Sequence, residues 1–210
     1  MEDKKLKGNL FILSSPAGGG KTTLANLILQ EIPNIKRVVT CTTRKPRPEE
    51  KEGVDYFFLS KEEFQRRIKK GDFLEYAVVH GNYYGTPKEE VFKLLERGVD
   101  LLLVIDVQGM RKIKKNFKEA VAIFVLPPSL DAIIERMRNR GESEEEIRKR
   151  IETAKKELPA WKEYDYIVIN DDLMKAKEDL KHIILSFRLK VERFDVNQIK
   201  DEKLREILKG

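Results

Sequence analysis

Residues 14–23 read SSPAGGGKTT, and this stretch decides the fold class of the 210-residue chain. It follows an apolar run at 9–13 and precedes a helical pattern that places Leu24, Leu27 and Ile28 on one face. A glycine-rich loop between a strand and a helix directs backbone N–H groups, together with the positive end of the helix dipole, at a bound anion. The stretch therefore predicts a phosphate-binding loop, with a glycine-rich turn of no chemical role as the alternative.

Two side chains of this loop suit a nucleoside triphosphate. Lys21 is expected to reach the β- and γ-phosphates of ATP, and the Thr22 hydroxyl is expected to bind Mg²⁺. The strict form of the motif has glycine where this chain has Ser15. The loop residues that we expect to bind ATP are Ser15, Pro16, Ala17, Gly18, Gly19, Gly20, Lys21, Thr22 and Thr23.

Asp106 is the natural companion of the loop because it ends the apolar run at 101–105. Open α/β sheets bind ligands at the carboxyl edge of their strands. A carboxylate at that edge can hold Mg²⁺ through water. The alternative is an aspartate that only caps the helix that follows the strand.

Apolar runs of strand length alternate with helical patterns along the rest of the chain. Several runs are apolar nearly throughout, as expected for parallel strands that are covered on both faces. This alternation predicts an α/β domain with a mainly parallel sheet core and helices on both faces. The candidate strands are 9–13, 36–40, 101–105, 121–126 and 166–169.

The starts of several helices are also legible in the sequence. Capping-box spacing predicts helix starts at Ser60, Thr86 and Ser143, each followed three residues later by glutamate. The last two helical patterns cover about 173–193 and 198–209. Two stretches, 41–86 and 127–160, leave the core after a strand and return before the next core element.

Composition excludes several classes of protein. The lone Cys41 rules out an internal disulfide framework and a zinc site built on thiol pairs. No apolar run approaches the roughly 18 residues that span a bilayer, and the charged start at 1–8 is unlike a signal peptide. The chain has a net charge of +6, and its basic residues are interleaved with acidic ones, which is typical of a solvated surface. We therefore expect a cytoplasmic protein with no membrane or nucleic-acid partner.

Further segments give the chain a family resemblance over nearly its full length. It resembles guanylate kinase, a nucleoside monophosphate kinase among the P-loop NTPases. The segments that carry the resemblance are TTRKPR at 42–47, GVDY at 53–56, FLE at 73–75, GNYYGT at 81–86, DVQG at 106–109, the arginines Arg136, Arg140 and Arg150, and NDD at 170–172.

The resemblance implies an acceptor site for GMP. Arg44, Arg47, Tyr56 and Tyr84 would hold its phosphate, since guanidinium forks and phenolic hydroxyls suit a dianion. The base would be recognised by Glu75 and Thr86, with Thr40 as a further hydroxyl and Asp106 near the acceptor. An ionised carboxylate only accepts hydrogen bonds, so Glu75 suits the two adjacent donors of guanine and repels the bare N1 of adenine. Thr86 could instead be a helix N-cap.

The resemblance also implies a catalytic set and a division of the chain. The transition-state charge would be offset by Lys21, Arg44, Arg47, Arg136, Arg140 and Arg150. Arg136 and Arg140 are four residues apart and are expected to share a helix face. The alternative for all three arginines, Arg150 included, is pairing with the glutamates of a solvated helix. Asn170 and Asp171 fall where the family contacts the adenine of ATP. Val104 departs from an acidic residue that many members have.

The implied organisation is a single domain. Its core lies at about 1–40, 87–126 and 161–193, with a GMP-binding insert at about 41–86, a helical lid at about 127–160 and a C-terminal helical extension at about 194–210. The expected reaction is transfer of the γ-phosphate of ATP to GMP, with Mg²⁺ as cofactor and the oligomeric state left open. The alternatives are a scaffold module of this fold that binds phosphopeptides, and a related kinase for another nucleoside monophosphate or a ribose bisphosphate.

Overall fold

The computed structural model describes residues 8–79 and 81–209. Residues 1–7 of the predicted core and Gly210 of the predicted extension lie outside that part of the chain. The strands are β1 (Leu10–Ser14), β2 (Ile35–Arg37), β3 (Thr40–Thr42), β4 (Tyr56–Phe58), β5 (Phe73–Val79), β6 (Asn82–Pro87), β7 (Asp100–Val104), β8 (Val121–Leu126) and β9 (Tyr166–Ile169).

The helices alternate with these strands over most of the chain. They are α1 (Lys21–Glu31), α2 (Lys61–Lys70), α3 (Lys88–Glu96), α4 (Val107–Asn116), α5 (Leu130–Arg138), α6 (Glu144–Glu157), α7 (Leu173–Arg188) and α8 (Glu202–Lys209). Short 3₁₀ helices follow α6 at Leu158–Glu163 and α7 at Val191–Arg193 and Val196–Gln198. No helix within 8–79 and 81–209 is long and apolar enough to cross a membrane.

A parallel five-stranded sheet forms the core, in the order β2-β7-β1-β8-β9. Its central strand β1 is buried along its whole length. Phe11 and Leu13 pack on the side of α1 and α7, whereas Leu10 and Ile12 pack on the side of α3 and α4. Such alternation is what the two-residue period of a strand produces when both faces are covered. The predicted α/β core with a parallel sheet is confirmed.

A second sheet is built entirely from the segment between β2 and α3. Its four strands lie in the order β4-β3-β6-β5. β6 runs antiparallel to both β3 and β5, whereas β3 and β4 are parallel. Phe64 of α2 stacks on Phe73 at 4.4 Å and on Tyr83 at 5.2 Å between ring centroids, which gives this sheet its own aromatic packing.

The single strand predicted at 36–40 is wrong, because the chain changes sheets there. β2 pairs with β7 in the first sheet, and the backbone N–H of Val38 still donates to Leu102 at 3.1 Å. From Thr40 onward the chain pairs with β4 and β6 in the second sheet. The hydropathy pattern does not reveal this change of sheets, because Val38 before it and Cys41 after it are both apolar and buried.

Two predicted helix starts are confirmed and one is wrong. Ser60 and Ser143 each accept a hydrogen bond from the backbone N–H three residues on, and Ser143 completes a capping box with Glu146. Thr86 belongs to β6 instead, and α3 begins after Pro87 with no side-chain cap.

The last two helices are shorter than predicted. α7 ends at Arg188 rather than near 193. Arg193 is drawn to the core, where it donates to the Gly8 carbonyl at 3.4 Å and lies 3.7 Å from Glu119. The final helix begins at Glu202 rather than at 198.

Candidate active site

The loop between β1 and α1 has the backbone shape of an anion cradle. Gly18 and Gly20 adopt positive φ angles of 78° and 93°, which only glycine adopts without strain. A Cβ on Gly20 would lie 2.3 Å from the amide nitrogen of Asn170, so this position also needs glycine for space. Helix α1 begins at Lys21, directly after the loop, and no side chain caps its start within the described residues. Backbone N–H groups at such a helix start are free to bind an anion.

Ser15, where the strict motif has glycine, is accommodated by Gly19. The Ser15 side chain is 3% exposed and donates to the Pro16 carbonyl at 2.9 Å. A Cβ on Gly19 would lie 2.7 Å from the Cβ of Ser15. The hydroxyl is thus satisfied inside the loop, and the departure from the motif leaves the loop backbone intact.

Asn170 joins the loop to helix α5. Its side-chain amide donates to the Gly19 carbonyl at 3.0 Å, and its own backbone carbonyl accepts from Arg136 Nη2 at 3.0 Å. Asn170 is 3% exposed, while the neighbouring Asp171 is exposed. The predicted contact of both residues with the adenine of ATP stays a prediction, and bracing of the loop by Asn170 is a function that the sequence did not indicate.

Arg136 is the lid arginine that points at the loop. Its Nη1 atom is buried without a hydrogen-bond partner in the described residues, and it would lie 3.7 Å from a Cβ on Gly20. An unpaired buried guanidinium nitrogen is costly, so this atom indicates a place for an anionic ligand. The alternative that Arg136 pairs with surface glutamate is not what the structure has.

Arg140 and Arg150 lie near Lys21, but not as the sequence predicted for Arg140. Helix α5 ends at Arg138, and Gly141 turns the chain with a φ of 77°. Arg140 is therefore outside the helix, and the expectation that it shares a helix face with Arg136 is wrong. Arg150 lies on α6 and pairs with Glu142 at 3.1 Å.

Lys21 lies among charges of both signs. Burial lowers its pKa, and the positive charges of Arg140 and Arg150 act in the same direction, whereas Glu157 and Asp106 oppose the shift. Burial raises the pKa of Glu157 at the end of α6, and Lys21 partly offsets that rise. Glu157 is a site residue that sequence reasoning missed, because its carboxylate is 136 positions from the lysine in the chain.

Asp106 has one oxygen engaged and one free. Its Oδ1 accepts from the backbone N–H of Gly109 at 2.8 Å, so it is the N-cap of α4. Its Oδ2 is buried with no hydrogen-bond partner within 8–79 and 81–209. The capping interpretation is confirmed, and it leaves an acceptor atom for a ligand. The described residues hold no cluster of three or more His, Cys, Asp or Glu able to bind a metal.

A cleft of about 160 Å³ lies between the two sheets. The cleft combines a polar set with an apolar wall that includes Val104. Its lining residues are Lys21, Thr40, Tyr56, Glu75, Ala77, Val79, Tyr84, Gly85, Val104, Ile105 and Asp106.

Glu75 lines this cleft, and the fully buried Thr86 lies beside it. Thr86 donates its hydroxyl to Oε1 of Glu75 at 2.7 Å across the β5–β6 ladder. Glu75 is 6% exposed, and its pKa is raised from 4.5 to about 7, chiefly by burial. The nearby charge of Asp106 contributes to that rise, while the Thr86 hydrogen bond and Lys112 oppose it. The carboxyl thus lacks the partners that would stabilise its charge.

Arg44 is held beside two tyrosines. Its Nε donates to the Tyr84 hydroxyl at 3.3 Å, and its guanidinium carbon lies 5.5 Å from the centre of the Tyr56 ring. Its Nη2 donates to both oxygens of Glu50, at 2.7 and 2.9 Å. Arg47 is exposed, and only its backbone N–H reaches Glu50, at 2.8 Å. Glu50 is a second residue that sequence reasoning missed.

Comparison with known proteins gives a consistent result. Residues 7–187 match the family model described as guanylate kinase. The guanylate kinase of Clostridioides difficile is 47% identical over 189 residues, covering 90% of this chain and 92% of the relative. That of Desulfitobacterium hafniense is 46% identical over 187 residues, covering 89% and 94%. The crystal structure of guanylate kinase from Anaplasma phagocytophilum superposes with a TM-score of 0.78 at 34% identity, covering 98% of this chain and 96% of that one.

Proposed function

The chain belongs to the guanylate kinase family and is an ATP:GMP phosphotransferase, and we propose that it transfers the γ-phosphate of ATP to GMP in the cleft between its two sheets. The observation that carries this assignment of the site is the buried Glu75 carboxyl, which lines a cleft together with Lys21 and accepts a hydrogen bond from the fully buried Thr86. One end of the cleft suits a purine with adjacent donors, and the other suits phosphate.

The base is selected by what Glu75 lacks. A buried carboxylate accepts hydrogen bonds only, and Thr86 supplies one donor to Oε1. The N1–H and N2 amino groups of guanine would supply the missing donors. Adenine would place its acceptor N1 against the carboxylate. A site that hydrogen-bonds an N–H of its substrate rejects an analogue without that N–H by orders of magnitude. Thr40 lines the same cleft as a further hydroxyl.

The GMP phosphate would bind Arg44, Tyr56 and Tyr84, with Arg47 closing from its exposed loop. Glu50 already pairs with Arg44, so the incoming phosphate dianion would either share Arg44 with Glu50 or take the place of the Glu50 carboxylate. Charge-assisted bonds to a phosphate are short and strong, which favours the exchange once the base is seated. We assign segment 41–86 as the acceptor-binding insert on this ground.

The ATP phosphates would lie on the loop at 15–23, with Lys21 on their outer side. Mg²⁺ fits the oxygen donors present, because the free Oδ2 of Asp106 through water and the Thr22 hydroxyl would hold it beside the phosphates. When bound there, Mg²⁺ would offset the phosphate charge. Arg136, Arg140 and Arg150 would stabilise charge on the phosphate in transfer.

Residues 127–160, which contain helices α5 and α6, would form a lid over the site. Apolar contacts already join them to the loop, since Ala17 packs against the cluster around Ile133 and Met137. Closure would keep water, a competing acceptor, from the transferring phosphate. Glu157 would move with the lid, and its negative charge acts on Lys21 in the empty protein. A cytoplasmic location, proposed from the lone buried Cys41, is testable by cell fractionation.

One coupled assay tests the function. ADP release is measured with GMP, dGMP, AMP, UMP and CMP as acceptors at equal concentration. We expect release with GMP to exceed release with AMP, UMP or CMP at least a hundredfold, because these three lack the paired donors that Glu75 requires. Absence of release with GMP, or equal release with AMP, would contradict the assignment.

The affinity for GMP should fall as the pH is lowered below about 7. The pKa of Glu75 in the empty protein is raised to about 7, so the carboxyl is ionised and fully accepting above that pH and protonated below it. The dissociation constant, measured by calorimetry, is expected to rise about tenfold in total from pH 8 to pH 6.

The phosphate of GMP titrates in the same range, with a second pKa near 6. Glu75→Gln supplies the control, because that variant keeps the phosphate titration and loses the carboxyl. The difference between the two pH profiles is the contribution of Glu75. Superimposable profiles would show that this carboxyl does not set the pH dependence.

A further inference from the structure

Gly109 is a glycine that its own backbone does not require. It lies in the first turn of α4 and does not adopt a positive φ, so any residue could take its conformation. Alanine is also the better helix former. Space is what favours glycine here, because a Cβ at this position would lie 3.3 Å from Oε2 of Glu75, 3.3 Å from Oδ1 of Asp106 and 3.0 Å from Cδ1 of Ile105.

The contact with Glu75 involves the carboxyl oxygen that is left for the base. Thr86 donates to Oε1 at 2.7 Å, whereas Oε2 accepts no hydrogen bond from the part of the chain that the structure describes. Guanine presents two adjacent donors, so the position of Oε2 decides whether the carboxylate can accept from both. The missing side chain of Gly109 lets that oxygen lie against the first turn of α4.

Helix α4 and strand β5 are both held in place around this contact. Met110 and Ile113 are buried in the core and anchor α4 there. Lys112 donates to the backbone carbonyl of Tyr76, and its Nζ lies 4.8 Å from the centre of the Tyr76 ring. An added methyl group would therefore displace the carboxyl group of Glu75, which is the end of a side chain, rather than either backbone.

We propose that Gly109 is a specificity-determining position for the acceptor base. The absence of a side chain there sets where Oε2 of Glu75 lies, and hence whether the carboxylate meets both donors of guanine. Gly109 acts through Glu75 rather than on the base itself, so it is a positioning residue. The inference rests on the proposed binding of guanine to Glu75 and adds a second residue to the selection of the base.

Asp106 offers a competing route for an effect at this position. Its Oδ1 is as close to the added Cβ as Glu75 is, and it accepts from the Gly109 N–H at 2.8 Å. A displaced Asp106 would disturb Mg²⁺ and the phosphate in transfer, and so it would lower kcat for every acceptor alike. A displaced Glu75 would weaken only a base with paired donors. The preference for GMP over AMP therefore separates the two routes.

The test is Gly109→Ala, with circular dichroism as the check on folding. We expect the dissociation constant of GMP, measured by calorimetry without ATP or Mg²⁺, to rise about tenfold, as for the loss of a hydrogen bond to a charged group. In steady state the KM for GMP should rise about as much, and the ratio of kcat/KM for GMP to that for AMP should fall about tenfold. The KM for ATP and the kcat at saturating GMP should be unchanged.

Gln108→Ala is the matched control for the helix. Gln108 lies on the same turn of α4, its side chain is exposed, and it does not line the cleft. This variant also places alanine in the first turn, but it adds nothing beside Glu75. Its affinity for GMP and its preference for GMP over AMP should equal those of the unmodified protein.

A double-mutant cycle shows whether the effect passes through Glu75. In a Glu75→Ala background, which lacks the carboxyl group, Gly109→Ala is expected to change the ratio of kcat/KM values for GMP and AMP less than about twofold. An equal loss in both backgrounds, an unchanged ratio in the single variant, or an equal fall of kcat for both acceptors would overturn the inference. Failure of the proposed function is distinct, since it would show as an unmodified protein without preference for GMP or as a Glu75→Gln variant that keeps that preference.

Discussion

Replacing Lys21 by methionine is expected to lower kcat at least a hundredfold while leaving the fold intact. The lysine is the cation placed between the loop and Asp106, and methionine keeps much of its length without its charge. Phosphoryl transfer depends on positioning and on neutralising the phosphate charge, so loss of this cation removes stabilisation that no neutral side chain replaces. Removing one such electrostatic contact typically costs 10²–10³ in kcat.

The measurement is steady-state ADP release with ATP and GMP, with circular dichroism as the check on folding. Lys69→Met is the matched control, because Lys69 lies on the exposed face of α2 and its substitution makes the same chemical change away from the site. Its turnover should equal that of the unmodified protein. A Lys21→Met variant that retains a tenth of normal kcat would remove the lysine from the catalytic set.

Glu75→Gln is expected to lower the preference for GMP over AMP at least a hundredfold in kcat/KM. Glutamine keeps the shape and one acceptor, but its amide now donates where guanine also donates. The same amide can donate to N1 of adenine, so the two bases become more alike to the site. The ratio of kcat/KM values for GMP and AMP is the measurement. An unchanged ratio would show that Glu75 does not read the base.

The same substitution should stabilise the empty protein. The folded pKa of Glu75 is about 7, above its ordinary 4.5, so the folded chain holds the proton between these values, and the free energy of unfolding falls as the pH rises from 4.5 to 7 and stays at the lower value above 7. At pH 8 the variant is expected to gain about 3 kcal/mol in free energy of unfolding, or about 6–12 °C in Tm. The gain should be absent at pH 4, where both side chains are neutral. Thr86→Val, which removes the hydroxyl donor to Glu75, should move the stability in the opposite direction.

The sequence predicted correctly those features of the fold and site that depend on residues close together in the chain. The loop, its lysine and the strand-end position of Asp106 depend on neighbours in sequence, and the parallel core follows from apolar runs that alternate with helices. The family resemblance implied that Glu75 and Thr86 serve the same site, but the hydrogen bond between them was not predicted, because it depends on how β5 pairs with β6.

What could not be predicted depends on distant pairings. Glu157 reaches Lys21 only because α6 packs over the loop, and Glu50 neutralises Arg44 only because their loop turns back on itself. The change of sheets between Val38 and Thr40 is invisible to hydropathy, since both sides of it are buried. The end of α5 before Arg140 follows from Gly141, whose turn competes with continuation of the helix.

The chain enters and leaves the second sheet at neighbouring points, because its first strand β3 pairs with its last strand β6, with Cys41 opposite Gly85. A segment whose two ends are adjacent can be exchanged without moving the rest of the fold. On the proposal that residues 41–86 bind the acceptor, donor chemistry and acceptor choice are separable in evolution, because a lineage can keep the ATP site unchanged and acquire a new acceptor by exchanging this one segment. Chimeras that swap residues 40–87 among kinases of this architecture would transplant substrate choice as a unit.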